Sequence, residues 1–287
     1  MNTKLLLSAG CVYLFFLGCS KEKAANQKEQ LPVQTKGALL SANGTTDTYL
    51  LINSVLGGKG DVLETPDCAH AGASPHIKQV FDADLNKQVF AFTIHVTPDN
   101  DKCNGKTDRQ RNEIKTYDAS PDSLKATLNE TVEYRWKFKL DAGFKPSPNF
   151  THLHQIKPTD GDDDLPIITL TARYKAAGDQ LEVIHTAGDA ANTLKYLASV
   201  PLSDFKGHWV EAIEKVTYSG TGKYELLVRR ISDARELVSI KVDHIDTWRT
   251  GTTTCRPKWG IYRSLLSPTF IRDETILFND FKITEIK

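Results

Sequence analysis

Between residues 131 and 140 the chain alternates without a break. Val132, Tyr134, Trp136, Phe138 and Leu140 fall on one side, and Glu133, Arg135, Lys137 and Lys139 fall on the other. Successive side chains of a strand point to opposite faces, so such a run is a half-buried antiparallel strand with one face on a core and one in water. The same period recurs over residues 88–96, 167–174, 180–185, 209–218, 223–231, 237–242 and 275–283. Turn-forming clusters separate these runs: Pro98-Asp99-Asn100-Asp101, Pro146-Ser147-Pro148, Asp160-Gly161-Asp162-Asp163-Asp164, Ala177-Gly178-Asp179 and Ser219-Gly220-Thr221-Gly222. Helical spacing is confined to 120–126. Many short strands punctuated by turns predict an all-β sandwich or jelly roll over residues 48–287, with no internal repeat and no further domain boundary.

The residues before this body read as an address. Met1 to Lys4 carry one positive charge, residues 5–16 are apolar, and Leu17-Gly18-Cys19 follows. A charged start, a short apolar stretch and a small residue before the break describe an export signal over residues 1–18. Gly18-Cys19 is similar to the lipobox of bacterial lipoproteins, although Phe16 stands where leucine is usual. That resemblance implies a lipidated Cys19 as the mature N-terminus, anchored to a bacterial membrane by more than one acyl chain. An ordinary signal peptide cut nearby is the alternative. Residues 19–47, rich in Lys, Gln, Ala, Asn and Gly, read as a flexible tether.

Of the five cysteines, Cys68, Cys103 and Cys255 remain for the body, which allows one bridge and one free thiol. Cys68 with Cys103 is the expected pair, because both lie in turn-rich stretches. No Cys/His zinc pattern occurs. Lys plus Arg and Asp plus Glu both total 36, so there is no global positive field of the kind nucleic-acid binding needs. Anion recognition therefore has to come from a local cluster of cations.

Three strands supply such clusters. In the segment 108–115, Arg109, Arg111, Glu113 and Lys115 share one face, with Gln110, Asn112 and Ile114 on the other. In 150–157, parity places Gln155 and Lys157 on one face and His152 and His154 opposite. In 256–264, Lys258, Gly260, Tyr262 and Ser264 share a face, while Trp259 and Ile261 point to the core. Gly260 leaves room for a close approach to that face, by a ligand or at a bulge. Taken singly, each segment reads better as a solvated strand face bearing charges.

Together the three segments resemble the jelly-roll polysaccharide lyases, namely the alginate, glucuronan and heparin lyases. Alginate lyases carry an Arg-x-Glu-x-Arg strand, which stands here as Arg111-Asn112-Glu113-Ile114-Lys115. Their Gln-x-His strand is Gln155-Ile156-Lys157, with Lys157 at the histidine position. Their Lys-x-Gly-x-Tyr strand is Lys258-Trp259-Gly260-Ile261-Tyr262. The resemblance covers roughly residues 75–287. It implies a concanavalin A-like jelly roll with a concave cleft, and β-elimination on a uronate-containing polysaccharide by a monomer that requires no cofactor.

That reaction needs a neutralised carboxylate, a base for the C5 proton and an acid for the leaving O4. Tyr262 is the expected base, acid or both. Arg111, Gln155 and Lys157 are expected on the carboxylate, with Arg109, Lys115 and Lys258 lining the site. Glu113 would orient Arg111 or Lys115. His154 is either an alternative base or carboxylate neutraliser, or a hydrogen-bonded core histidine. Two other readings stay open. A glycoside hydrolase would use two carboxylates, Glu113 and Glu211. A lectin-like module would bind on the same fold without catalysis. The acidic turn at 160–164 could hold a structural calcium or simply be solvated.

Overall fold

The computed structural model describes residues 36–70, 72, 75–188 and 194–286. The export signal and Cys19 lie outside them. Two antiparallel sheets face each other. The first contains β1 (Lys36–Leu40), β3 (Ile77–Asp82), β4 (Lys87–Ile94), β6 (Thr131–Lys139), β11 (Trp209–Thr217), β12 (Gly222–Arg230), β13 (Glu236–Ile245) and β15 (Glu274–Ile286). Its order is β13-β12-β11-β6-β15-β4-β3, and β1 pairs with β15 beyond the end of β4. The second contains β2 (Leu63–Glu64), β5 (Arg109–Lys115), β7 (Thr151–Pro158), β8 (Ile168–Arg173), β9 (Gln180–Thr186), β10 (Leu194–Pro201) and β14 (Cys255–Ser264), in the order β10-β9-β8-β7-β14-β5-β2. This is the expected jelly roll.

The alternation of β6 turns directly into packing. Val132, Tyr134, Trp136 and Phe138 are buried against the second sheet, while the charged residues between them are half exposed. From the other side β14 sends Trp259 and Ile261 into the same core, and β7 sends Leu153 and Ile156. The Tyr134 and Tyr218 hydroxyls, both fully buried, satisfy each other at 2.8 Å.

The tether ends earlier than expected, because Lys36–Leu40 is strand β1 and Leu40 is buried. A short helix, α1 (Thr48–Leu56), follows where the sequence suggested strand. Asp47 caps it by accepting from the Leu50 N–H, and Gly57 ends it at φ 76°. Its apolar residues Ile52 and Leu56 are buried, so tertiary packing decides its form. Segment 120–126 makes a single 3-10 turn, Asp122–Leu124. Cys68 and Cys103 are bridged, and Cys255 is free and buried.

Candidate active site

The three polar segments are neighbours in the second sheet: β14 lies between β7 and β5. Tyr262 stands opposite Arg111 on one side and opposite His152 on the other. Lys258 stands opposite Lys115 and Gln155. These side chains occupy the face turned away from the core that holds Trp259 and Ile261.

Two irregularities decide which histidine joins them. β14 carries an extra residue between Trp259 and Tyr262 relative to β7, and β7 carries one between His152 and His154 relative to β8. At the first, Gly260 has φ 144°, and a Cβ there would lie 2.2 Å from the Asn112 carbonyl oxygen. The glycine therefore serves the close approach of β5 at a bulge rather than a ligand. The second shift resets side-chain parity along β7. His152 moves to the face of Gln155 and Lys157, while His154 stays on the opposite face, in the core.

His154 is therefore not a base in the site. It is fully buried, donates or accepts at 2.7 Å with Glu214, and stacks 4.3 Å from Trp136. The core reading of His154 is the one that holds. The hydrolase pair fails as well. Glu113 is on β5 of the second sheet, whereas Glu211 is on β11 of the first, between Lys137 and Arg229, with its side chain away from the core.

His152, which parity had set aside, lies beside Tyr262 with ring centroids 5.7 Å apart and stacks on Phe150 at 4.8 Å. Its Nδ1 has no protein partner. Burial, then the charges of Arg173, Arg111 and Lys258, push its pKa down to about 3, so the ring is neutral at pH 7.

Tyr262 is held from two sides. Arg109 donates to its hydroxyl oxygen at 3.0 Å, and the Arg111 guanidinium lies 3.8 Å from its ring centroid. Arg111 is not free to grip a ligand by its whole fork. It pairs with Asp101 at 2.7 Å, Glu113 at 3.0 Å and Glu64 at 3.2 Å. Gln155 likewise donates to Glu113 at 2.6 Å. Glu113 orients Arg111 as expected, and pairs with Lys258 at 3.1 Å rather than with Lys115.

Glu64, on the two-residue strand β2, is the centre of this network, and periodicity gave no sign of it. It meets Lys258, Lys102 at 2.7 Å, Lys115 at 3.0 Å and Arg111. Burial alone would raise its pKa, but the cations outweigh it and hold the carboxyl well below its ordinary range. Burial in turn pushes Lys115 and Lys157 down to about 8. Lys157 is half buried, and burial and then Lys258 lower it while Asp163 opposes them.

In the acidic turn, Asp160 accepts from the Thr253 N–H and hydroxyl, and Asp162 pairs with Arg249 at 3.0 Å. Protein donors thus occupy two of its carboxylates.

A jelly roll that sets a largely buried Tyr–His pair over a buried cation network is an arrangement suited to acidic polysaccharides. The chain belongs to the polysaccharide lyase family, whose model matches residues 58–282. Among solved structures, it is similar to the endo-β-1,4-glucuronan lyase of the fungus Trichoderma reesei. That match has a TM-score of 0.52 and 14% identity, over 72% of this chain and 85% of that one. The alginate lyase of Klebsiella pneumoniae matches at TM-score 0.51 and 12% identity, over 72% and 84%. The alginate lyase Aly36B, solved as a mutant with an alginate trisaccharide, matches at TM-score 0.57 and 8% identity, over 88% and 98%. At such identities the likeness speaks for the shared fold. No curated protein sequence matches the chain.

Proposed function

We propose that the protein cleaves a uronate-containing polysaccharide by β-elimination, leaving a 4,5-unsaturated uronate at the new end. The observation that carries this is the pairing of a neutral His152 with Tyr262 across β7 and β14, with Arg109 on the tyrosine oxygen. Removing the C5 proton builds negative charge on the adjacent carboxylate. Fixed cations in a partly dry site stabilise that charge most strongly. Arg109 is half exposed and placed to serve both the Tyr262 oxygen and the carboxylate. Arg111, Glu113 and Gln155 form the platform that holds Tyr262 and Lys258.

Lys157 stands roughly 13–16 Å along β7 from His152 at strand rise, so it serves a neighbouring uronate rather than the reacting one. In the elimination, the base takes the C5 proton, the C5–H pair becomes the C4=C5 double bond, and the C4–O4 bond breaks. The leaving O4 then takes a proton from the acid. His152 and Tyr262 share these two proton roles.

The test is a panel of glucuronan, alginate and heparin, followed by ultraviolet absorbance of the unsaturated uronate and by product analysis. Absorbance with at least one polymer is expected. Binding without product would point to the lectin-like module, and saturated reducing ends would point to hydrolysis. The leader and Gly18-Cys19 support an exported protein held to a membrane by an N-terminal lipid. Mass spectrometry of the mature protein from a bacterial host tests that, and a non-acylated start elsewhere would refute it.

A further inference from the structure

On the other side of β5, away from the active face, three imidazoles converge on one buried carboxylate. Their centroids are 4.8 Å apart for His70 and His76, 5.0 Å for His70 and His95, and 5.4 Å for His76 and His95. Asp99 meets His70 Nε2 at 2.5 Å, His76 Nε2 at 3.2 Å and His95 Nδ1 at 3.3 Å. One donor atom from each of the four residues lies within 4.8 Å of every other. A tetrahedral ion bound at about 2.0–2.2 Å needs ligand atoms separated by about 3.3–3.6 Å, which small ring rotations would give.

We propose that His70, His76, His95 and Asp99 bind one divalent transition-metal ion of the zinc type. Three imidazoles and one carboxylate suit zinc, whereas calcium takes about six to eight oxygens. A metal-binding histidine commonly gives its other ring nitrogen to a carboxylate. His76 does so: its Nδ1 lies 2.6 Å from Asp67, which also accepts from the Tyr49 hydroxyl at 2.7 Å.

The backbones that carry the ligands are clamped independently. Asn112 donates to the His76 carbonyl at 3.0 Å, and Gln110 donates to the His95 carbonyl at 2.7 Å. The Cys68–Cys103 bridge ties the segment bearing His70 to the loop bearing Asp99. Both His70 and His95 are partly exposed, which leaves an entry path. The ion would fix the loop that presents Asp101 to Arg111, and so would stiffen the active site from behind.

The test uses the full, disulfide-bonded protein stripped by chelator, then titrated with Zn²⁺ against a chromophoric competitor and with Co²⁺ as a spectroscopic probe. One ion per chain, the visible bands of four-coordinate cobalt, and a melting temperature that rises with zinc are expected. His70→Ala and His95→Ala should each weaken binding by more than about 100-fold, and the outer-sphere change Asp67→Asn by about 10–100-fold. Circular dichroism and the melting curve without metal show whether each variant is folded. His95→Gln serves as the milder change should His95→Ala be unfolded. Unchanged affinity in the folded variants would mean adventitious binding elsewhere and would overturn the site. So would no binding at all, or calcium competing on equal terms with zinc.

Discussion

The ring of His154 lies between Trp136 and Trp259, 4.3 and 5.6 Å from their centroids, with its Nε2 on the buried Glu214. Replacing it by alanine would leave Glu214 with only the Tyr224 hydroxyl. Leaving a buried acceptor short of a partner costs about 1–3 kcal/mol, and more where it is charged. His152 makes no hydrogen bond within the protein that its loss would orphan. His154→Ala should therefore lower the melting temperature sharply while folded molecules keep their turnover. His152→Ala should melt near wild type and lose about 10²–10⁴-fold in turnover. Thermal melts and the unsaturated-uronate assay on the same two proteins separate the roles. Tyr262→Phe belongs with His152. It removes one acceptor for Arg109, leaves the ring over Arg111, and should cut turnover by a similar factor with stability changed by less than about 1.5 kcal/mol. Near wild-type turnover in that variant would remove Tyr262 from the chemistry.

The bulge at Gly260 aligns Tyr262 with His152, so the element rather than the residue sets the proposed catalytic pair. Gly260→Ala forces a Cβ against the Asn112 carbonyl at a φ that side chains rarely adopt. Both stability and turnover should fall together, and a hydrogen-exchange map should show the loss of protection centred on the β5–β14 ladder. The same bulges explain what the sequence could and could not reveal. Unbroken alternation exposed β6, β11 and β12, because a strand with one wet face writes that fact every second residue. It misassigned His152, because one extra residue inverts parity across the bulge and leaves no mark in composition. β10 was missed for another reason: it is an edge strand whose Leu194 and Tyr196 are both exposed, so its pattern has no period. β2 is too short to have one, which hid Glu64. α1 was hidden because its apolar run reads equally as strand, although Asp47 and Gly57, which cap it, are residue types favoured at helix ends.

Across the molecule, four cations, Arg111, Lys258, Lys115 and Lys102, meet three carboxylates, Glu64, Glu113 and Asp101. The cluster keeps an excess of positive charge beneath the face that takes a polyanion, although the whole chain is neutral. Glu64 ties this cluster to global stability. Its folded pKa is held below the unfolded value of 4.5, so its contribution is complete above that pH and is lost as the pH falls through the folded value. Melting temperature should therefore drop steeply in acid. Glu64→Gln should flatten that dependence while costing about 3–5 kcal/mol at pH 7.

At one end of the first sheet, β1 covers residues Phe281–Glu285 of β15 on the edge that β4 leaves unpaired beyond Phe278. A shortened chain beginning at residue 48, where the alternating body starts, would leave that row of amides and carbonyls open beside the apolar Phe281 and Ile283. An uncovered edge of this kind is a template for a second molecule to add a strand. Such a fragment should self-associate with concentration in sedimentation velocity, whereas a chain starting at residue 34 should stay a single species. The five residues of β1 thus act as a guard against intermolecular sheet growth, at a distance from any chemistry.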